Sequence, residues 1–330
     1  MARTDTLGNF LIDVADAIRN KKGTTDTIVA SNFDTEIESI ETSGGTTEPI
    51  FTGHYDTEGL RQIGWTDEEI EYYQQNGVQW NESEDNYFKL TQTELIGDDS
   101  ENTRFLPKNT TKNNFNGYKK LLAIPLLDTS NTTNMSSMFQ DCYSLTPIPL
   151  LDTSKAINMS NMFKNCRSLI TIPQLNTNSV TDMSNMFQSC TSLTTIPQLD
   201  TSNVTSMNNM FQNCYSLTTV PLLDTSKIIN MVSTFSVCPS LTTLGGFLNL
   251  GQAYKTTASA NYSSYKLDLS NSKKLTEQSL INVLTNLYDI ATKGCKTQQV
   301  ILGSTNLAKL TSEEGQAALS NAQAKGWTVS

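Results

Sequence analysis

The sequence predicts an α/β repeat fold: a leucine-rich-repeat-like solenoid of about five 24-residue rungs with a C-terminal α/β cap. A small helical N-terminal anchor and an acidic module precede the solenoid. The main observation is that apolar residues recur every 24 positions without insertion over 121–240. A period of about 20–29 residues with apolar residues at fixed offsets is typical of such solenoids. The second observation is the length: 330 residues exceed one simple core.

Five residue types form columns at this spacing. The cysteines are Cys142, Cys166, Cys190, Cys214 and Cys238, and the phenylalanines are Phe139, Phe163, Phe187, Phe211 and Phe235. Methionines (from Met135), leucines (from Leu121) and prolines (from Pro125) keep the same period. The cysteine and phenylalanine columns are expected to be structural, with buried reduced thiols packed as small apolar groups. Disulfides are disfavoured because each of five stacked cysteines would have two equivalent neighbours.

Within one rung, the residues of 192–196 predict a short parallel strand, and Pro197 is expected to end it because proline has no N–H. The apolar spacing over 207–214 predicts a helical stretch that faces the strand. A column of Asp128, Asp152, Asp200 and Asp224, interrupted by Asn176, leaves two interpretations open. The side chains cap Asp-Thr-Ser turns through backbone N–H groups, or they bind a cation. Asn176 favours turn capping.

The segments outside the repeat have weaker patterns. Residues 1–43 predict a helical hairpin that anchors and oligomerises the chain, 44–49 a linker, 50–118 a small acidic module, 119–250 the solenoid and 251–330 the cap. In the module, Thr66 and Glu69 form a capping box. In the cap, strands are expected at 266–269 and 300–302, and residues 327–329 close the chain. Helices are expected from Thr276 to about 291 and from a capping box at Thr311 and Glu314.

Composition excludes several functions. The chain carries 23 Lys and Arg against 33 Asp and Glu, so a basic nucleic-acid face is not expected. No run approaches the ~18 apolar residues of a membrane span. The first residues lack an apolar segment, so we expect no secretory signal and assembly in the cytoplasm. A single histidine, His54, and no metal-ligand or nucleophile motif predict a protein that is not an enzyme and carries no cofactor or metal.

Two stretches resemble known families. The rung Leu-Asp-Thr-Ser-Asn-Val-Thr-Ser-Met-Asn-Asn-Met-Phe-Gln-Asn-Cys (199–214) resembles the BspA-type leucine-rich repeats of bacterial surface proteins, and the likeness covers 121–250. Residues 7–23 and 31–37 are similar to the opening of tail proteins from phages of Gram-positive gut bacteria. In those proteins the N-terminus fixes the chain to the virion. The resemblance therefore implies other virion proteins as partners at the N-terminus.

Together these observations predict a phage virion surface protein of the tail-fibre or receptor-binding type, a homo-oligomer with a trimer favoured. The solenoid, with ten charged residues over 121–240, would present a polar surface to a host glycan or protein. Two alternatives stay open: a structural virion component such as a head fibre or baseplate spacer, and a bacterial BspA-like surface adhesin. The expected contact residues are Tyr143, Arg167, Thr191, Tyr215, Gln140, Lys164, Gln188 and Gln212.

Overall fold

The structure is a computed structural model that describes residues 51–52, 60–61, 65–75, 89–90, 114–125, 127–253, 266–293, 295 and 298–330. The expected anchor (1–43) and linker (44–49) lie outside these residues. The helices are α1 (Asp67–Gln75), α2 (Glu277–Thr285), α3 (Gly303–Leu307) and α4 (Glu313–Ala324). The strands are β1 (Phe51–Thr52), β2 (Lys89–Leu90), β3 (Thr219–Val220), β4 (Leu223–Asp224), β5 (Thr243–Leu244), β6 (Phe247–Leu248), β7 (Lys266–Asp268), β8 (Gln298–Ile301) and β9 (Trp327–Val329).

The repeats form a solenoid. In its turn segments, successive backbone N–H groups donate alternately to a carbonyl in their own rung and to a carbonyl in the next rung. In the rung that contains Met207, the N–H groups of Met210, Gln212 and Cys214 donate to carbonyls three residues earlier, at 3.1–3.2 Å. The N–H groups at 207, 209, 211 and 213 donate instead to carbonyls 23 residues later, in the next rung, at 2.8–2.9 Å. Every N–H from 209 to 214 therefore has a backbone acceptor.

The helix expected over 207–214 was a wrong prediction: the segment is a chain of tight turns. Asn209 and Asn213 have φ of 54° and 61°, and a left-handed residue at every fourth position ends any helical run. Asn, Asp and Ser fill most of these positions in the other rungs, and the first two adopt the left-handed conformation more readily than most residues. Two successive turns place apolar residues at the same spacing as a helix does, so the apolar spacing over 207–214 wrongly predicted a helix.

Strands are also fewer than expected. The segment 192–196 contributes only a bridge from Thr195 to Thr219, while β3 pairs with β5 and β4 with β6, all parallel. Proline explains part of the difference. Gly245 donates its N–H to the Val220 carbonyl at 2.9 Å, whereas the earlier rungs have proline at this position and lose that ladder bond. A Cβ at Gly245 would lie 2.4 Å from the Leu222 nitrogen, so glycine is needed for this close approach.

The core of the solenoid is a stack of aromatic rings. Phe115, Phe139, Phe163, Phe187 and Phe211 are buried, with successive ring centroids 5.7 Å apart and planes within 7–11° of parallel. The stack continues to Phe235, whose ring is tilted by 23°. The offset-stacked distance is a favourable one for aromatic pairs. One ring per rung thus joins the repeats along the solenoid axis.

The five cysteines of the column are free and buried beside this stack. Each thiol donates to the carbonyl of the phenylalanine in the preceding rung; Cys190, for example, donates to the Phe163 carbonyl at 3.0 Å. The other four bonds, from Cys142, Cys166, Cys214 and Cys238, are 3.0–3.1 Å long. Each of these carbonyls also accepts a backbone N–H in its own rung, such as that of Cys166 for Phe163 at 3.0 Å. The buried thiol is therefore hydrogen-bonded to an oxygen that already has one backbone donor.

The C-terminal part contains a parallel sheet in the order β7-β8-β9, with α2 and α4 in contact. Thr276 caps α2, as predicted, by accepting from the Ser279 N–H at 3.2 Å, but α2 ends at Thr285 rather than near 291. The predicted box of Thr311 and Glu314 was wrong. Ser312 caps α4, and the Glu277 carboxylate accepts from the Thr311 and Ser312 N–H groups at 2.8 Å. A carboxylate from another helix thus replaces the local partner.

The last rung joins this part directly. The Thr276 N–H donates to the Thr242 carbonyl at 3.0 Å, the Tyr288 N–H donates to the Leu250 carbonyl at 3.0 Å, and Leu250 and Leu287 form a parallel bridge. These contacts extend the solenoid ladder into the α/β segment, so the backbone groups at this end of the stack find partners.

Helix α1 contacts the solenoid through a tyrosine. Its predicted capping box is present: Thr66 Oγ1 accepts from the Glu69 N–H, and Glu69 Oε2 accepts from the Thr66 N–H. The Tyr72 hydroxyl donates to the Ile148 carbonyl at 3.2 Å. By analogy with Gly245 and Val220, the ladder donor for Ile148 would come from Pro173, which has no N–H. Tyr72 therefore supplies the hydrogen bond that the proline removes.

We expect Tyr72→Phe to lower the free energy of unfolding by about 1 kcal/mol, because it leaves the Ile148 carbonyl without this donor. Urea denaturation of the full chain measures the change. Pro173→Ala is the informative partner, since it restores a backbone N–H beside Ile148. In that background Tyr72→Phe should cost less, and equal costs in both backgrounds would contradict the interpretation.

Candidate functional site

The first set of expected contact residues forms a row on the solenoid surface. Arg167 and Tyr215 are exposed, whereas Tyr143 and Thr191 are half-buried. The Arg167 guanidinium lies 4.6 Å from the centroid of the Tyr143 ring, which is cation–π geometry. The carbonyls of Tyr143, Arg167 and Thr191 each accept a serine N–H 25 residues later, at 3.1–3.2 Å. A bonded backbone thus holds these four side chains in register.

The second set of expected contact residues is less accessible to a ligand. Gln140, Lys164, Gln188 and Gln212 are all half-buried. The Gln188 amide donates to the Gln212 side-chain oxygen, and the Gln140 amide donates to Asp141 at 3.2 Å. The structure brings these residues into one column, but two of the glutamine amides are committed to neighbouring side chains of the same surface.

The aspartate column caps turns, as the favoured interpretation predicts. The Oδ1 atoms of Asp128, Asp152, Asp200 and Asp224 each accept the N–H of the serine two residues later, at 2.9–3.1 Å. Asn176 does the same for Asn178 at 3.2 Å. Hydrogen bonds from these serines lower the pKa of Asp128, Asp152 and Asp200. These three carboxylates therefore stay ionised at neutral and mildly acidic pH.

A groove beside this column was missed by the sequence analysis. Two cavities of about 700 Å³ and about 480 Å³ adjoin at Gln174, Leu175 and Asn176. They run from Leu127 to Leu248 along the turns that follow the prolines, and we call them together the proline-side groove. The one available signal was the residue after each proline, which reads Leu, Leu, Gln, Gln, Leu at 126, 150, 174, 198 and 222.

The glutamines of that series form a ladder. Gln174 Nε2 donates to the Gln198 carbonyl, and Gln198 Nε2 donates to the Leu222 carbonyl, both at 2.8 Å. Leucine at 150 and 222 has no amide and is instead exposed, by 69% and 42%. The groove thus contains a glutamine-bridged middle and exposed leucines on both sides of it.

The described ranges contain no feature that supports metal binding, a reactive thiol or a membrane-spanning helix. Within them, no group of three or more His, Cys, Asp or Glu side chains is placed to hold a metal ion. Burial raises the pKa of all five column thiols, and that of Cys238 to about 12. Thiols of this kind are poor nucleophiles. None of the described helices is long and apolar enough to cross a membrane.

Comparison with known proteins links the repeat region to one family. Three overlapping matches, at 109–194, 133–246 and 157–269, fall on the model of a family described as "Mycoplasma protein of unknown function, DUF285". No curated protein matches the chain.

Two solved structures resemble the chain. Internalin C2 from Listeria monocytogenes is 16% identical, with 69% of this chain and 97% of that chain covered and a TM-score of 0.26. A leucine-rich cell surface protein from Faecalibacterium prausnitzii is 14% identical, with 69% and 76% covered and a TM-score of 0.22. TM-scores this low carry no argument about function. The family match supports a BspA-type leucine-rich-repeat protein over residues 109–269.

Proposed function

We propose that the protein is a surface-recognition protein of the BspA-like adhesin type, in which the solenoid is a rigid support for outward side chains. The observation that carries the proposal is the row of Tyr143, Arg167, Thr191 and Tyr215. Arg167 stacks on Tyr143, and Tyr215 is 46% exposed. Tyrosine and arginine are the residue types that dominate the binding energy of protein interfaces.

The rigidity of the support follows from its hydrogen bonds. Each rung donates backbone bonds to its neighbours on the turn side and on the opposite side, and the phenylalanine stack fixes the interior. Side chains on such a scaffold lose little conformational entropy on binding, because their backbone is already ordered. Repetition in adjacent rungs and oligomerisation through residues 1–43 would add avidity.

A phage tail fibre remains the second candidate, and a structural virion component a third. The tail-fibre candidate depends on the resemblance of residues 7–23 and 31–37, which lie outside the described residues, and no comparison supports it. The family match fits the adhesin better. Location on a bacterial surface, or on a virion after assembly in the host cytoplasm, is therefore part of the proposal. Immunogold labelling with antibody against 121–240 distinguishes the two.

The proposal is tested by binding of the labelled full chain to bacterial cells and to epithelial cells. We expect binding to one of them and a loss of about tenfold or more when Tyr143, Arg167 and Tyr215 are replaced by alanine, because each truncation of an interface anchor costs about 1–2 kcal/mol.

The matched control is Ile157→Thr with Ile229→Thr. These isoleucines are 49% and 55% exposed and share a column with Thr181 and Thr205, where threonine is already accommodated. The control should bind like the wild type. Equal loss in both variants, or no binding by the wild-type chain, would contradict the proposal.

A further inference from the structure

The side-chain hydrogen-bond donors of the proline-side groove are mostly used by the protein itself. Its threonine hydroxyls donate to carbonyls of the next rung at 2.8–2.9 Å; they belong to Thr129, Thr153, Thr177 and Thr201. The hydroxyl of Ser202 donates to Asp200. The amides of Gln174 and Gln198 donate to carbonyls. The backbone N–H groups of Leu150 and Gln174 donate to no atom of the described residues. A ligand that enters the groove therefore meets backbone donors as well as acceptor oxygens.

Backbone carbonyls stay open at the wider end of the groove. Gln174 Nε2 covers the carbonyl of Gln198, one rung on. The corresponding donor for the Gln174 carbonyl would come from residue 150, and leucine has no amide. Across the described residues, the carbonyls of Leu150 and Gln174 accept no hydrogen bond from the protein. They lie in the larger cavity of about 700 Å³, together with the exposed Leu150.

Along the groove, every rung presents a turn-capping side-chain oxygen, but not every rung presents a negative charge. Asn176 lies where the two cavities adjoin. It keeps the turn-capping oxygen of its aspartate neighbours but carries no charge. No Lys or Arg lines either cavity, although Lys155 and Lys227 lie near enough to lower the pKa of the aspartates. Within the lining itself an anionic ligand would meet only negative charge. A neutral ligand whose polar groups both donate and accept hydrogen bonds fits this lining.

We propose that the proline-side groove binds a neutral, hydroxyl-rich glycan chain, with its wider end at Leu150 and Gln174 as the principal subsite. Glycan hydroxyls supply the missing donors to the open carbonyls and turn oxygens. The apolar C–H faces of the sugar rings pack on the Leu150 side chain. The turn oxygens recur once per rung, which suits a polymer with regularly spaced hydroxyl groups. This inference rests on the proposed recognition function and assigns it a ligand class and a second face.

The decisive variant is Leu150→Gln. It copies Gln174 and Gln198, so its amide should donate to the Gln174 carbonyl and close the subsite while the rung stays folded. We expect the full wild-type chain to bind at least one of fluorescein-labelled mannan, dextran, laminarin and galactan. The Leu150→Gln variant should bind that polysaccharide about tenfold less tightly, a difference of about 1.4 kcal/mol, with an unfolding temperature no lower than that of the wild type.

Ile157→Thr is the matched surface control. Ile157 is 49% exposed and lines neither cavity, and threonine already stands at the equivalent position 181. Glycan binding should change by less than about threefold. Loss of binding in this variant, or binding of heparin or decalysine in place of the neutral polysaccharides, would overturn the proposal. So would equal binding by Leu150→Gln, or binding of none of the four polysaccharides.

The two proposals fail separately. The triple alanine variant of Tyr143, Arg167 and Tyr215 should keep its affinity for the polysaccharide, because the lining of the groove does not include these residues. If the wild-type chain binds polysaccharide but no cells, the proposed recognition function is wrong and the proposal of glycan binding in the groove is kept. If cell binding survives periodate oxidation of the cell-surface glycans and is lost in Leu150→Gln, the groove binds a protein and the glycan proposal is wrong.

Discussion

Replacing Phe187 with alanine is expected to lower the free energy of unfolding by about 4 kcal/mol. The ring is completely buried, and it stacks on Phe163 and on Phe211, with centroids 5.7 Å apart on both sides. Large-to-small core substitutions of phenylalanine cost about 3–5 kcal/mol through lost burial and the cavity that remains. In a repeat protein each unit is stabilised by its two neighbours, so a gap in the middle weakens two interfaces.

Urea denaturation of the full chain, followed by circular dichroism, measures this loss. Phe187→Leu separates the stacking from the burial and should cost less than half as much. Ile170→Ala is the surface control, because Ile170 is 53% exposed and surface substitutions usually stay within about 0.5 kcal/mol. A cost below about 1.5 kcal/mol for Phe187→Ala would show that the stack does not hold the rungs together.

The sequence predicts which residues are buried better than it predicts the path of the backbone between them. A 24-residue period identifies Phe187 and Cys190 as members of columns, and both are fully buried. The same apolar spacing fits a helix and two consecutive turns equally well. The difference is the positive φ of Asn185 and Ser189, and it follows from bonds to the next rung, which no local pattern in the sequence reveals.

The two candidate surfaces also differ in how far the sequence predicts them. Tyr143 and Tyr215 could be placed on an outward row from the period alone, because residues 24 apart occupy equivalent positions. The proline-side groove could not be predicted from the period, since it depends on which hydrogen-bond donors are used within the protein. That Gln174 reaches the Gln198 carbonyl is a property of side-chain conformation. Only this contact shows that Leu150, which has no amide, leaves the Gln174 carbonyl open. The Glu277 contact that replaces the expected cap of α4 depends likewise on tertiary packing.

Alkaline pH is expected to unfold the solenoid steeply, because five buried thiols must stay protonated. Burial raises the pKa of Cys142, Cys166, Cys190, Cys214 and Cys238, the last to about 12. An unfolded cysteine ionises near pH 8.5. The stabilisation is therefore complete below about pH 8.5 and is lost as the pH rises toward the native pKa, because unfolding then releases protons.

The expected slope is about 1.4 kcal/mol per thiol for each pH unit above about 8.5. Five thiols together give about 7 kcal/mol per pH unit, against a typical domain stability of about 5–15 kcal/mol. The midpoint of unfolding should therefore lie between about pH 9 and 10.5. Urea denaturation in half-unit steps from pH 7.5 to 10 measures the slope before the chain unfolds.

Cys190→Ser isolates the contribution of one thiol to that slope. The serine hydroxyl does not ionise in this range, and it can keep the hydrogen bond that Cys190 donates to the Phe163 carbonyl. The two chains differ only at position 190, so the difference between the two slopes belongs to the thiol alone. The slope should fall by about 1.4 kcal/mol per pH unit. An unchanged slope would mean that the thiol ionises in the folded chain, and the cysteine column would then not be sealed from water.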